Sequence, residues 1–213
     1  MRPVVLASSS PRRLEMMEKN HIECSVIPAD VDEDILMPMS LESTVMFLAL
    51  KKALYVEQLL SEGKAGAEKK ITESDASLKG ASHCLYPEAV ITAADTVVYK
   101  DGVMGKPKDR QEARDMLLCL KGCDHIVATG VAMICPETGK KIVFCDKTKV
   151  FFRDYSDEEL ESYISTDEPY DKAGGYAIQG TFSKYTDHIE GDRDNVIGFP
   201  FYRFREIMER IMI

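Results

Sequence analysis

Residues 4–17 read VVLASSSPRRLEMM, a short apolar run that passes through a serine-rich bend into an amphipathic stretch. Val4 to Ala7 has the pattern of a buried strand. Ser10 stands where a helix N-cap belongs, Pro11 suits the first helical position, and Leu14 and Met17 fall on one helix face. A strand that turns directly into a helix is the opening of an α/β chain. Backbone N–H groups and the helix dipole at such a turn favour an anion.

The pattern continues outward. Cys24 to Ile27 reads as a second strand, followed by the acidic run Asp30-Val31-Asp32-Glu33-Asp34. A long helix is predicted from Leu41 to Leu60, with Val45, Leu48, Ala49, Val56 and Leu59 on one face. Residues 61–88 turn polar and rich in Gly, Ser and Lys, an exposed insertion. Ala89 to Tyr99, AVITAADTVVY, is a buried strand with a single carboxylate inside it. Residues 109–121 form a helix with Asp109 as cap, Glu112 completing a capping box and Gly122 just beyond. Strands over 126–134 and 141–152 are joined by PETGK in a hairpin-like loop. Ser156 to Ile164 is a short helix with a second capping box, Ser156 and Glu159. The segment EPYDKAGGYAIQG reads as loop and strand, and a last helix from about Pro200 should bury Phe204, Met208 and Ile211. Crossover helices combined with a hairpin predict an α/β fold with a mixed sheet, in one domain over residues 1–213.

Composition narrows the function. The chain has 213 residues, 45% of them hydrophobic, enough for a sizeable core. A formal net charge of −9 argues against a nucleic-acid polymer as partner, because that binding relies on basic side chains. It leaves a small polyphosphate open, since a few local cations suffice. No apolar run reaches the roughly 20 residues of a membrane helix. The N-terminal stretch lacks the shape of a secretion signal, so a cytosolic address is expected. Six cysteines without a CxxC pair read as reduced thiols, mostly small core residues. Cys119 and Cys123 have no second pair to complete a zinc site.

A handful of polar residues stand where bland folding would not put them. Asp95, among Ala93, Ala94, Val97 and Val98, is costly to bury unless paired, hydrogen-bonded or metal-bound. Two readings apply: a general base, or a turn aspartate bonding its own backbone. Lys52 projects from the apolar stripe of the long helix, either snorkelling past the core or meeting an anion. Lys106 in GKP and Lys172 in DKAGG are lysines beside flexible glycines, suited to reach phosphate. Arg12 and Arg13 occupy a first helical turn, where the dipole disfavours cations, so they either meet an anion or point to solvent.

Taken together, LASSSPRR (residues 6–13), AADT (93–96) followed by GKP, EPYDKAGGYAIQG (168–180) and NVIGFP (195–200) resemble the signatures of the Maf family of nucleotide pyrophosphatases, in order and over nearly the whole chain. The resemblance implies an elongated α/β fold like that of inosine triphosphate pyrophosphatases, with two lobes around a central cleft, and a homodimer. It implies hydrolysis of a nucleoside triphosphate to the monophosphate and pyrophosphate with Mg²⁺ or Mn²⁺. By position, Asp95 matches the proton acceptor, and Glu33 with Asp95 the metal carboxylates. Ser8, Arg13, Lys52, Lys106 and Lys172 match residues that contact phosphate. Arg12, Thr96 and Gln179 match the specificity positions of the branch acting on dTTP, UTP and related modified pyrimidine nucleotides. The branch acting on 7-methyl-GTP typically carries Trp at the first of these.

The chain departs from the family pattern in four ways. The 61–88 segment is long. Thr181 and Phe182 replace a small Gly-containing stretch. Arg193 stands where Tyr is frequent, and Phe199 where Leu is. A nucleotide-binding regulator of cell division with little turnover, and a pyrophosphatase acting on purine nucleotides, are the competing readings.

Overall fold

The computed structural model describes residues 2–35, 37–64 and 88–211. Most of the predicted 61–88 insertion therefore lies outside the described residues, as do Cys84 and the side chain of Ile211. The strands are β1 (Val4–Leu6), β2 (Cys24–Val26), β3 (Val90–Tyr99), β4 (Val103–Met104), β5 (Asp124–Cys135), β6 (Lys140–Phe152) and β7 (Thr186–Glu190). The helices are α1 (Pro11–Lys19), α2 (Leu41–Ser61), α3 (Arg110–Leu120), α4 (Asp157–Ile164), α5 (Arg193–Ile197) and α6 (Phe201–Ile211). The seven strands make one sheet in the order β2-β1-β3-β5-β6-β7, with β4 added to β3. β1 is parallel to both β2 and β3, whereas β4 and β7 run antiparallel to β3 and β6, so the sheet is mixed as expected. Among the described residues no helix is long and apolar enough to cross a membrane.

Two compact units are built on this chain. The first comprises Met1–Asp95, Gly130–Cys145 and Phe201–Ile213. Val5, Ile91, Ala93, Ala132 and Ile134 from its strands, with Ala7 just beyond β1, pack with Ala49, Ala53 and Val56 of α2. Ser40 starts α2 by accepting the Ser43 N–H on its hydroxyl, which satisfies one of the otherwise orphaned donors of the first turn. The contact of α2 with the sheet is close. A Cβ on Gly130 of β5 would lie 2.3 Å from the Val45 carbonyl carbon and oxygen. In α6, Phe204 and Met208 are buried as expected.

The second unit comprises Thr96–Thr129 and Asp146–Pro200. Its core is aromatic. The fully buried Phe182 sits 4.5 Å from the Tyr163 ring and 4.8–5.5 Å from those of Tyr185, Tyr155 and Phe152, centroid to centroid. Such edge and tilted pairs add to the burial of large apolar area. Phe182 is one of the departures from the family pattern, and it serves as a core residue. His125 is buried in the same unit, its Nε2 2.6 Å from the Tyr176 hydroxyl. Burial holds its pKa down to about 4, with Lys100 adding to the effect and Asp124 opposing it.

This histidine ties stability to pH. Its folded pKa lies below the ordinary value of 6.5, so between about 6.5 and 4 the unfolded chain binds the extra proton. Stability is then lost as pH falls through that window, by up to about 1.4 kcal/mol per pH unit. Urea unfolding at stepped pH should show a shallower acid slope in His125→Gln than in the unsubstituted protein. Equal slopes would remove His125 from the account.

Several local expectations change. EPYDKAGGYAIQG contains no strand: it forms 3₁₀ turns over Glu168–Asp171 and Ala173–Gly175. Consecutive glycines with positive φ (69° and 72°) at Gly174 and Gly175 cannot continue an extended run. The cap of α3 is only half a capping box. Asp109 accepts from Glu112 N–H, but the Glu112 carboxylate takes the Lys108 N–H instead of returning to Asp109. The box at α4 is complete. Of the described cysteines only Cys135 is buried, and Cys119 and Cys123 are exposed, so the cysteines are not mainly core residues.

Candidate active site

In the first unit β1 ends at Leu6, and the chain is held against β3 for one more residue by the Ala7 N–H to Thr92 carbonyl bond (2.8 Å). That leaves the buried Ser8 hydroxyl facing the start of α1, where it accepts from the Ser10 N–H (3.2 Å) and from Arg13 Nη1 (3.1 Å). Ser10 has the extended backbone of an N-cap, but its side chain makes no capping bond. The turn is thus organised by Ser8. The first turn of α1 carries no acidic residue, so the dipole there disfavours the charges of Arg12 and Arg13. Burial draws the Arg13 pKa from 12.5 to about 10. Asp95 is the largest influence pulling it back up, Arg12 works against that, and Glu33 supports it. Arg13 remains a cation at neutral pH.

Lys52 explains the polar position on α2. Its ammonium lies 2.6 Å from Asp95 Oδ1 and 2.7 Å from Glu33 Oε1, with the lysine and aspartate side chains 12% and 9% exposed. Asp95 is held in mid-strand on β3, and Glu33 comes from the acidic segment before α2. A buried carboxylate is tolerated here because it has a cation within hydrogen-bonding distance. The turn-aspartate reading fails, since Asp95 lies inside a ten-residue strand. The solvent reading of Lys52 fails for the same ion pairs. Lys52 therefore ties Glu33 and Asp95 together, while Ser8 holds Arg13, whose charge is favoured by Asp95 and Glu33.

Its donor chemistry suits a hard divalent cation. Two carboxylates from separate elements converge on one centre of positive charge, the Lys52 nitrogen. Among the described residues no group of three or more His, Cys, Asp and Glu side chains is placed to hold a metal. Mg²⁺ and Mn²⁺ can bind through one or two protein carboxylates when substrate phosphate oxygens and waters complete the shell.

The second unit holds the remaining predicted residues. The Thr96 hydroxyl lies 3.0 Å from that of Thr129. Lys106 is exposed after β4. Lys172 donates to the Glu168 carbonyl (2.6 Å) and pairs with Asp171. The loops bearing Lys106 and Lys172 are joined by the Gly174 N–H to Gly105 carbonyl bond (2.9 Å). Gln179 is exposed, and the turn that follows it is clamped. Glu168 accepts from the Thr181 N–H and, at 2.7 Å, from the Thr181 hydroxyl. Thr181, a departure from the family pattern, thus closes this turn.

Three residues were given no individual role in the sequence: Thr129, Asn195 and Glu168, the last two opening quoted motifs. Thr129 carried a readable signal, being a polar residue in the apolar run IVATGVAMI, as Asp95 is in AVITAADTVVY. Glu168 opens the EPYDKAGGYAIQG motif, but nothing there points to its partner Thr181, 13 residues away.

A family profile described as "Maf-like protein" matches residues 3–211. A dTTP/UTP pyrophosphatase of Geobacillus sp. (strain WCH70) is 39% identical over 99% of both chains. Proteins of the same name from Caldicellulosiruptor bescii and Alkaliphilus metalliredigens are 40% and 35% identical, over 99% of this chain and 96% of theirs. The four motifs, the mixed sheet that carries them and this near end-to-end match agree: the chain belongs to the Maf family.

Proposed function

We propose that this chain is a nucleoside triphosphate pyrophosphatase. It hydrolyses dTTP and UTP, and related modified pyrimidine nucleotides, to the monophosphate and pyrophosphate, as a cytosolic homodimer. The observation that carries the reading is the Glu33–Lys52–Asp95 ion-pair group beside Ser8 and Arg13, which supplies carboxylates and cations together. The names of the relatives support it.

Asp95 takes the proton of the water that attacks the α-phosphorus. Lys52 fixes the orientation of that carboxylate through their 2.6 Å contact. Glu33 and Asp95 would hold Mg²⁺ or Mn²⁺, which when bound neutralises charge on the phosphate oxygens. Arg13, kept in place by Ser8, supports the negative charge that develops on the leaving pyrophosphate. Lys106 and Lys172 contribute further positive charge to the polyphosphate. Arg12, Thr96 and Gln179 select the base and sugar, the Gln179 amide being able both to donate to and to accept from a pyrimidine edge.

Pyrophosphate release across a nucleotide panel, with Mg²⁺ and Mn²⁺ compared, tests this. The expected result is turnover of dTTP and UTP above ATP and GTP, dependent on added metal. Tight nucleotide binding without pyrophosphate release would instead support a regulator, and faster turnover of purine nucleotides would remove the base assignment.

A further inference from the structure

We propose that Glu168 is a positioning residue for Gln179: its carboxylate latches Thr181 and so fixes the turn that presents the Gln179 amide, while its carbonyl holds Lys172 on the same closed segment. This rests on the reading of Gln179 as a base-selecting residue of the proposed pyrophosphatase.

The latch is a ring closed within one segment of chain. Residues 168–181 leave the 3₁₀ turn Glu168–Asp171, pass the Gly174–Gly175 pair and return to Glu168 at Thr181. The Thr181 N–H donates to both carboxylate oxygens, at 3.0 and 3.2 Å, and its hydroxyl donates to Oε2 at 2.7 Å. From the other side the Tyr163 hydroxyl of α4 donates to Oε1 at 3.4 Å. Burial, and then the Glu168 charge, push the pKa of that hydroxyl above its ordinary value, so it keeps its proton for this bond. Hydrogen bonds to an ionised acceptor are the stronger kind, which suits a carboxylate to closing the ring.

Gly180 is fitted to this carboxylate. Its φ of −92° suits any residue, so the backbone there does not call for glycine. The space does: a Cβ would lie 1.7 Å from Glu168 Oε1 and 2.7 Å from its Cδ. A carboxylate oxygen thus fills the place that a side chain next to Gln179 would take.

Gln179 sits between two fixed points. The Gly180 N–H to Ala177 carbonyl bond (3.1 Å) closes a turn around Ile178 and Gln179. Ala177 and Ile178 are buried and Gln179 is exposed. Beyond the latch, Phe182 is fully buried against the Tyr163 ring. Thr181 and Phe182, both departures from the family pattern, therefore hold the exit of the turn. A turn held on both sides loses little conformational freedom when its amide meets a base. Lys172 shares the arrangement. Of its three ammonium hydrogens, the Glu168 carbonyl (2.6 Å) and Asp171 take two, which leaves one for a phosphate oxygen.

The experiment compares Thr181→Val, Thr181→Ser, Gly180→Ala, Gln179→Ala and the double variant Thr181→Val with Gln179→Ala against the unsubstituted protein. It reads KM and kcat for dTTP, calorimetric binding of dTMP, which needs no turnover, and a thermal melt. Thr181 is exposed and valine has the same branched shape, so Thr181→Val should fold. It should raise KM and weaken dTMP binding about tenfold with kcat little changed, whereas Thr181→Ser keeps the original values. Gly180→Ala, which pushes the carboxylate away while leaving Glu168 and Thr181 in place, should reproduce the loss by an independent route. In the Gln179→Ala background, Thr181→Val should add less than about twofold, because the latch acts through the amide. Effects that multiply in the double variant, or unchanged dTMP binding in either Thr181→Val or Gly180→Ala, would overturn the latch. Latch-dependent dTMP binding without any pyrophosphate release would count against the proposed activity and uphold the latch. No dTMP binding by the unsubstituted protein would sink both.

Discussion

Asp95→Asn should lower kcat for pyrophosphate release from dTTP by about 10²–10⁴-fold, the range for loss of a positioned general base. The substitution keeps the shape of the side chain and its hydrogen-bonding reach, so Lys52 can still approach, but the proton acceptor is gone. Glu33 remains to pair with the Lys52 ammonium at 2.7 Å, so the buried charge is not abandoned and the protein should stay folded. Steady-state kinetics with dTTP and added Mg²⁺, accompanied by a thermal melt, read both effects. Retention of most of the activity would show that Asp95 is not the base. Glu33→Gln makes a useful contrast: it leaves the base in place, and its effect should lessen as Mg²⁺ is raised if Glu33 serves as a metal carboxylate.

The largest expected effect on stability is that of Gly130→Ala. The added methyl would lie 2.3 Å from the Val45 carbonyl carbon and oxygen and 2.6 Å from the Met46 nitrogen. These are backbone atoms in the interior of α2, so no side-chain rotation can relieve the overlap. The helix must move off the strand, opening the packing of Val45, Leu48 and Ala49, all buried. Overpacking of this severity costs about 3 kcal/mol or more. In a chain of this size that lowers the melting temperature by about 6–12 °C. Because α2 carries Lys52, the variant should also lose activity at temperatures where it is still folded. A melting temperature within a degree or two of the original would mean that the approach of α2 to β5 is looser than described.

These two substitutions also mark what could and could not be read from the sequence. The parallel strands, α2 and the final helix were legible because apolar periodicity reports which face is buried, and Val45, Leu48, Ala49, Phe204 and Met208 are indeed inside. β4, β7 and α5 were missed. β4 has two residues, α5 five, and β7 has only intermediate and exposed positions, so none has an apolar pattern to detect. The glycine pair at Gly174 and Gly175 was seen as flexible, but the need for positive φ, which forbids a strand there, shows only in the backbone. Among the site residues, Asp95 and Lys52 stood out as polar groups in apolar surroundings, and they turned out to be each other's partner. The sequence could not pair them, because 43 residues separate them. The carboxylate partners of Lys52 likewise had no signal in its own surroundings.

The backbone bond from Gly174 to Gly105 has a thermodynamic consequence. Two lysine-bearing loops that wandered independently would each lose conformational freedom when a polyanion ordered them, and affinity would fall by both losses. Here one loop is already moored to the other, and Gly174 is confined further by Val98, whose side chain would lie 2.9 Å from any added Cβ. Much of the ordering that the proposed phosphate role of Lys106 and Lys172 requires is therefore settled when the chain folds, before any ligand arrives.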